Sequence, residues 1–197
     1  YSRFKDEMAV IERLGRENLD LIEETIKRYG IDCQFEWTGE LRIANEEWQI
    51  EGLVEEANLR NSFGDNVEVL NQDEIQQRVN SPLSKAALWD PDGTALVDPA
   101  RLVWGLERAC LKLGVKIFEN THVEWLERTS EGMIVHTPYG TVYAQKVALA
   151  TNVFKSLVKR AHKYVVPVYD FQLVTEPLTK EQMKSIGWKG REGLSEA

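Results

Sequence analysis

Histidine and cysteine are scarce in this chain, with three of the first and two of the second among 197 residues. Cys33 and Cys110 stand alone, with no C-x-x-C and no neighbouring His pair, so they read as reduced structural thiols; a disulfide between them stays open but has no support in the sequence. His122, His136 and His162 fall in or near strand-like segments without metal-ligand spacing, which argues against a zinc or iron centre. There is no G-x-G-x-x-G, no P-loop and no G-x-S-x-G elbow. No run of roughly 18 apolar residues suggests a membrane span, and no charged-then-apolar leader opens the sequence. Basic residues are outnumbered, 24 against 32 acidic, and the net charge of −8 disfavours a nucleic-acid partner, whose phosphates need Lys and Arg.

What is present is enough apolar material, 43% of residues, for one sizeable core or two small ones in a soluble globular chain. From 1 to 29 the apolar residues Phe4, Met8, Ile11, Leu19, Ile22 and Ile26 mark one face of a long helix, and Gly30 ends it. Residues 40–44 form a strand candidate, and Asn45 is the expected N-cap of a helix through Trp48, Leu53, Ala57 and Leu59. A short strand at 67–70 leads to Asn71, where another helix opens and breaks before Pro82. Residues 86–89 and 95–97 are strand candidates flanking Asp90-Pro91-Asp92-Gly93, a turn sequence.

The second half has a more informative order. Asp98 is a natural N-cap, because its carboxylate can accept from an orphan backbone N–H, and Pro99 follows where its fixed φ and missing N–H cost nothing. The helix should carry its apolar stripe on Leu102, Leu106, Ala109, Cys110 and Leu113 and stop at Gly114. Strands are expected at 115–118, 122–128, 132–136 and 142–150, the last ending in apolar Val147-Ala148-Leu149-Ala150, with a turn over 137–141.

This ordered set resembles the middle portion of the D-amino-acid oxidase-like family of FAD-dependent oxidoreductases, which includes glycine oxidase, sarcosine oxidase and gamma-glutamylputrescine oxidoreductase; the likeness is greatest to the last. The family stretch hP.rLv.gL..a....Gv.i.e.t.V is similar to residues 98–123, with Asp98 where His is common, and G.v.A..vvlAtna is similar to 140–153. Residues 166–178 and 191–196 resemble segments of the family's substrate domain. No single element is a fingerprint. The family's Gly-rich turn, which holds the pyrophosphate of FAD at a helix N-terminus, is absent from this chain, and members continue beyond the point corresponding to Ala197. The expectation is an internal fragment.

The resemblance implies an α+β (α/β) fold in which a mixed substrate-domain sheet with helices accompanies a partial, Rossmann-like FAD-binding domain. Residues 1–97 and 160–197 would belong to the substrate domain and 98–159 to the FAD domain. It implies FAD as cofactor in the full-length protein and oxidation of a C–N bond to an imine that water hydrolyses, with dioxygen or another acceptor regenerating the flavin. The protein would desolvate the amine, keep it neutral and aim its carbon at the flavin. Val123 matches the position whose backbone pairs with the adenine edge, and Ala150, Thr151 and Asn152 match the turn along the ribose and diphosphate. On the strand expected after Pro167, alternation puts Tyr169, Phe171 and Leu173 on one face and Asp170, Gln172 and Val174 on the other. Arg42, Tyr169 and Gln172 could face a bound amine or carboxylate. No residue is singled out as catalytic, and no metal site is expected.

Two readings therefore stand at this stage. One is the central part of a cytoplasmic FAD-dependent amine or amino-acid oxidoreductase, inactive in isolation and prone to self-association through apolar surface left uncovered. The other is a stand-alone α+β domain that binds a small molecule or a protein without catalysis. A nicotinamide-linked dehydrogenase is disfavoured, since it too would need the missing Gly-rich loop.

Overall fold

The structure, a computed structural model, describes residues 4–154, 156–188 and 190–197, without the side chains of Lys5 and His162. It falls into two compact units: residues up to Gly114 together with Glu176–Ala197, and Val115–Thr175. In chain order the first contains α1 (Met8–Tyr29), β1 (Glu36–Trp37), β2 (Glu40–Ala44), α2 (Glu47–Ser62), β3 (Glu68–Asn71), α3 (Gln72–Arg78), β4 (Ala86–Asp90), β5 (Ala95–Leu96) and α4 (Pro99–Lys112). The second contains β6 (Trp125–Arg128), β7 (Met133–Thr137) and β8 (Gly140–Ala144), and the chain then returns to the first with α5 (Lys180–Ile186) and β9 (Gly193–Glu196). The helices and sheets agree with the expected α+β class.

The first unit is built on a mixed sheet of order β3-β4-β2-β9, in which only the β2–β9 pair is parallel. Successive side chains of a strand face opposite ways, so each strand feeds two layers. Ala44, Ala86 and Leu88 pack with Leu53 and Ala57 of α2, whereas Leu41, Leu70 and Ala87 pack with Ile75 of α3, Ile186 of α5 and Trp188. Helices on both faces explain why β4 is buried at four of its five positions. A separate two-stranded ribbon pairs β1 with β5, so the 90–93 turn links two different sheets rather than closing a hairpin.

Local chemistry sets the helix ends. Asp98 Oδ1 accepts from Arg101 N at 3.0 Å with Pro99 in the first turn, as expected, and the helix expected to open at Asn71 does so through a reciprocal capping box with Glu74. The N-cap of α2 is Glu46 rather than Asn45, because Gln49 Oε1 reaches back to both the Asn45 and Glu46 N–H groups at 2.9 Å. The Gln49 amide then donates to the carbonyl of Ala197 at 2.7 Å, tying this helix to the end of β9. At the other end of α2, Arg60 bridges Asp65 at 2.8 Å and Asp90 at 2.5 Å. Burial works against the Arg60 charge, but hydrogen bonds to Asp65 and Asp90 outweigh it and hold the guanidinium pKa above its ordinary value.

Two expected helix faces are only partly covered. In α1 the packing is confined to Ile22 and Ile26, which meet Ile31, Cys33, Phe35, Val97 and Leu102, while Phe4 and Ile11 are exposed. In α4 the buried positions are Gly105 and Ala109, and Leu106 and Leu113 face solvent. Gly105 is where α4 meets the end of α1: a Cβ there would sit 2.2 Å from Ile31 Cγ2.

The second unit is an antiparallel β6-β7-β8 sheet whose last turn, Pro138-Tyr139, lies where turn residues predict it. Trp125 and His136, directly opposite across β6 and β7, stack at 3.5 Å. Three sequence expectations fail here. Residues 115–118, 147–150 and 168–174 are not strands and are mostly exposed, with Phe171 at 92% and Leu173 at 98%. Apolar alternation supplies a face, but a strand also needs a neighbour to exchange backbone hydrogen bonds, and among the described residues no strand pairs with these segments.

The α1–α4 contact generates a paired prediction. Gly105→Ala gains about 1 kcal/mol of helix propensity but overpacks Ile31 at a cost of about 1–3 kcal/mol, so a net loss of stability is expected. Gly15→Ala, where nothing lies within 4 Å, should stabilise α1 by up to about 1 kcal/mol. Urea melts of the two variants check this.

Candidate functional site

Arg42 lies in the middle of β2 on the face toward α2, where its Nη1 meets both carboxylate oxygens of Glu56 at 2.7 Å. The pair is about one-third exposed and borders a hollow of about 270 Å³ with Trp48 and Gln49. The hollow can admit a ligand, but Glu56 already neutralises Arg42, so an anion there would have to displace a formed ion pair. Tyr169 and Gln172 belong to the second unit, on the segment that is not a strand, and both are exposed, Tyr169 at 88%. Without strand geometry, the separation of Tyr169 and Gln172 onto opposite faces is lost, and Arg42 belongs to the first unit.

The residues matched to cofactor contacts all lie in the second unit. Val123 is half-buried just before β6, and the next residue already joins the sheet through Glu124 N donating to His136 O at 2.9 Å. Among the described residues the Val123 backbone makes no hydrogen bond, which leaves both its N–H and its C=O for a planar edge carrying an acceptor and a donor. Ala150, Thr151 and Asn152 form an exposed turn in which Asn152 adopts φ +52° and Thr151 O accepts from Phe154 N at 3.1 Å. Their three N–H groups have no partner among the described residues. Unpaired backbone donors on a turn are the chemistry that ribose and diphosphate oxygens require, so these residues fit an FAD molecule.

A cluster that sequence reasoning missed lies in the first unit. Trp37, Arg78, Trp89, Arg191 and Glu192 line one cavity of about 420 Å³. The Arg78 guanidinium sits 4.2 Å over the Trp89 ring, Arg191 pairs with Glu36 at 3.2 Å, and Glu192 is only 3% exposed. Arg78 and Glu192 come from distant parts of the chain, and no spacing rule connects them. Nothing in the sequence sets Trp37 and Trp89 apart from the other tryptophans. Among the described residues no group of three or more His, Cys, Asp or Glu could hold a metal ion, and no helix is long and apolar enough to cross a membrane.

The comparisons with known proteins agree with the architecture. The family described as FAD dependent oxidoreductase (DAO) matches residues 2–195, and the chain belongs to that family. It is 29% identical over 189 residues to the probable oxidoreductase OrdL of Haemophilus influenzae, covering 92% of this chain and 43% of that protein. It is 28% identical over 177 residues to gamma-glutamylputrescine oxidoreductase of Escherichia coli, covering 86% and 40%. Among solved structures, glycine oxidase from Geobacillus kaustophilus superposes with a TM-score of 0.64 at 24% identity, over 72% of this chain and 39% of that one. L-proline dehydrogenase from P. horikoshii gives 0.63 at 20%, over 72% and 38%. The chain thus spans about two-fifths of the length of the curated relatives it matches.

Trp37, on the cavity wall, is coupled to a titrating group. A hydrogen bond from Lys27 is the main cause that lowers the Glu23 carboxyl below its ordinary 4.5, and the Trp37 side chain adds to it. A lowered folded-state value means the interaction is fully present above pH 4.5 and is lost as the pH falls through the folded value. The expected outcome is a Trp37 indole N–H resonance that moves with a midpoint below that of a free carboxyl and stays still on acidification of Glu23→Gln, as read by NMR.

Proposed function

We propose that this chain is the central part of an FAD-dependent oxidoreductase that oxidises the C–N bond of an amine or amino acid, and that in isolation it does not turn over. The observation that carries the reading is the set of unpaired backbone groups at Val123 and over residues 150–152, in a chain of the FAD dependent oxidoreductase family. The names of its relatives support the substrate class, since gamma-glutamylputrescine, glycine and proline each carry a C–N bond. Bound flavin would supply the redox chemistry by accepting a hydride equivalent from the substrate carbon.

The chain's own part in this is binding and orientation. The Val123 N–H and C=O hold the adenine edge, and the N–H groups of Ala150, Thr151 and Asn152 donate along the ribose and diphosphate. Arg42, Tyr169 and Gln172 are the candidates on the substrate side, Arg42 acting once Glu56 is displaced. In domain terms 98–159 serve the cofactor and 1–97 with 160–197 the substrate, even though α4 packs on α1 within the first compact unit. Free thiols at Cys33 and Cys110 suit a reducing, cytoplasmic compartment. The exposed apolar side chains between Tyr164 and Val174 make self-association of the isolated chain the expected behaviour.

FAD titration followed by flavin fluorescence tests this, on the present chain and on a version extended to the full length of its relatives. The extended protein should quench flavin emission on binding and bleach its yellow colour with gamma-glutamylputrescine, glycine or proline, while the present chain gives no turnover. Absence of flavin binding by both would favour a non-catalytic binding domain.

A further inference from the structure

α4 carries two separate apolar strips. At about 100° per residue, Leu102, Gly105 and Ala109 fall on one side of the helix, and there Leu102 packs with Ile26, Ile31 and Cys33 while Gly105 lies against Ile31. Trp104 and Leu111, seven residues apart, share a line on the side away from that contact and are 58% and 50% exposed. Val103 and Leu106 are exposed as well, but they adjoin the packed side, and Glu107 separates them from the line of Trp104 and Leu111.

Two charges flank that line and cannot serve each other. Glu107 and Arg108 lie on its opposite flanks, because neighbours at i and i+1 do not face one another on a helix. Neither has an ion pair among the described residues, whereas Arg101 of the same helix meets both Asp32 and Asp98 at 3.5 Å. An apolar line with an acid on one flank and a base on the other is self-complementary: a second copy brings the missing partner to each charge by symmetry. The flanks also fix the orientation. Two such helices side by side about a two-fold parallel to their axes set the Arg108 flank of each against the Glu107 flank of the other, with Trp104 against Trp104 and Leu111 against Leu111. An antiparallel pair would set Arg108 against Arg108 and Glu107 against Glu107, which is repulsive.

We propose that α4 is the surface through which two copies of this protein pair, helix parallel to helix, with Trp104 and Leu111 along the seam and two Glu107–Arg108 ion pairs along its edges. A contact of one helix face per copy is small beside the about 1,600 Å² of a standard stable interface, so the dimer forms reversibly with concentration. The surface uses none of the residues assigned to flavin or substrate, nor the exposed apolar segment 164–174.

Sedimentation equilibrium on the version extended to the full length of its relatives tests this, with Glu107→Arg, Arg108→Glu and the double substitution that exchanges the two charges. The unaltered protein and the double variant should dimerise alike. Each single variant should dimerise at least about tenfold more weakly, because both edge attractions become repulsions. An equimolar mixture of the two single variants should recover association, since one copy then carries two bases and the other two acids. Trp104→Ser should weaken the dimer by about tenfold or more through loss of the seam. A strictly monomeric unaltered protein at concentrations up to about 1 mM, folded single variants or Trp104→Ser that dimerise undiminished, or a mixture that recovers nothing would overturn the assignment. Circular dichroism reports folding, and should one single variant unfold, Trp104→Ser and the double variant decide it. Flavin binding is not read in any arm, so failure here leaves the oxidoreductase reading standing.

Discussion

Every backbone N–H and C=O removed from water needs a partner, and the pairing of β2 on both of its edges is the arrangement on which the first unit depends. β4 pairs with it antiparallel from Glu40↔Asp90 to Ala44↔Ala86, and β9 pairs with it in parallel from Glu40↔Gly193 to Ile43↔Glu196. With both edges taken, Leu41 and Ala44 are fully buried and can anchor opposite layers, one against α3 and the other against α2. The Arg60–Asp90 bridge and the Gln49–Ala197 hydrogen bond then hold α2 to the ends of β4 and β9. Charge and packing thus reinforce a register that backbone pairing sets.

The same constraint explains the second unit by its absence. β6, β7 and β8 satisfy one another, but the apolar residues at 115–118, 147–150 and 168–174 have no pairing strand among the described residues and remain largely exposed. Hydrophobic side chains alone do not make a strand, because the backbone then prefers water to an unpaired extended state. Residues 150–152 adjoin one of these segments and Val123 lies just before β6, so the free N–H groups at 150–152 follow from the same lack of a partner. The two curated relatives are more than twice as long as this chain.

The cavity at Trp37 and Trp89 arises differently. Its shape depends on two positions without a Cβ, Gly39 under Trp89 and Gly190 against Glu192, and on β1, α3, β4 and the chain before β9 converging at one end of the sheet. Neither Arg78 nor Glu192 belongs to a recognisable motif; that they line one cavity becomes visible only in space.

The sequence by itself determined several of the helix termini and the family. The Asp98-Pro99 start, the Asn71/Glu74 capping box and the Gly30 stop are written locally, since a cap bonds to residues three or four positions away. The ordered segments from Asp98 onward carried the family likeness, and with it the candidate flavin positions. Tertiary structure alone decided which apolar runs became strands, where Arg42 finds Glu56, and which face of α4 is buried. Those outcomes depend on contacts between residues distant along the chain, and neither periodicity nor spacing encodes which of several extended segments will find a neighbour to complete its hydrogen bonds.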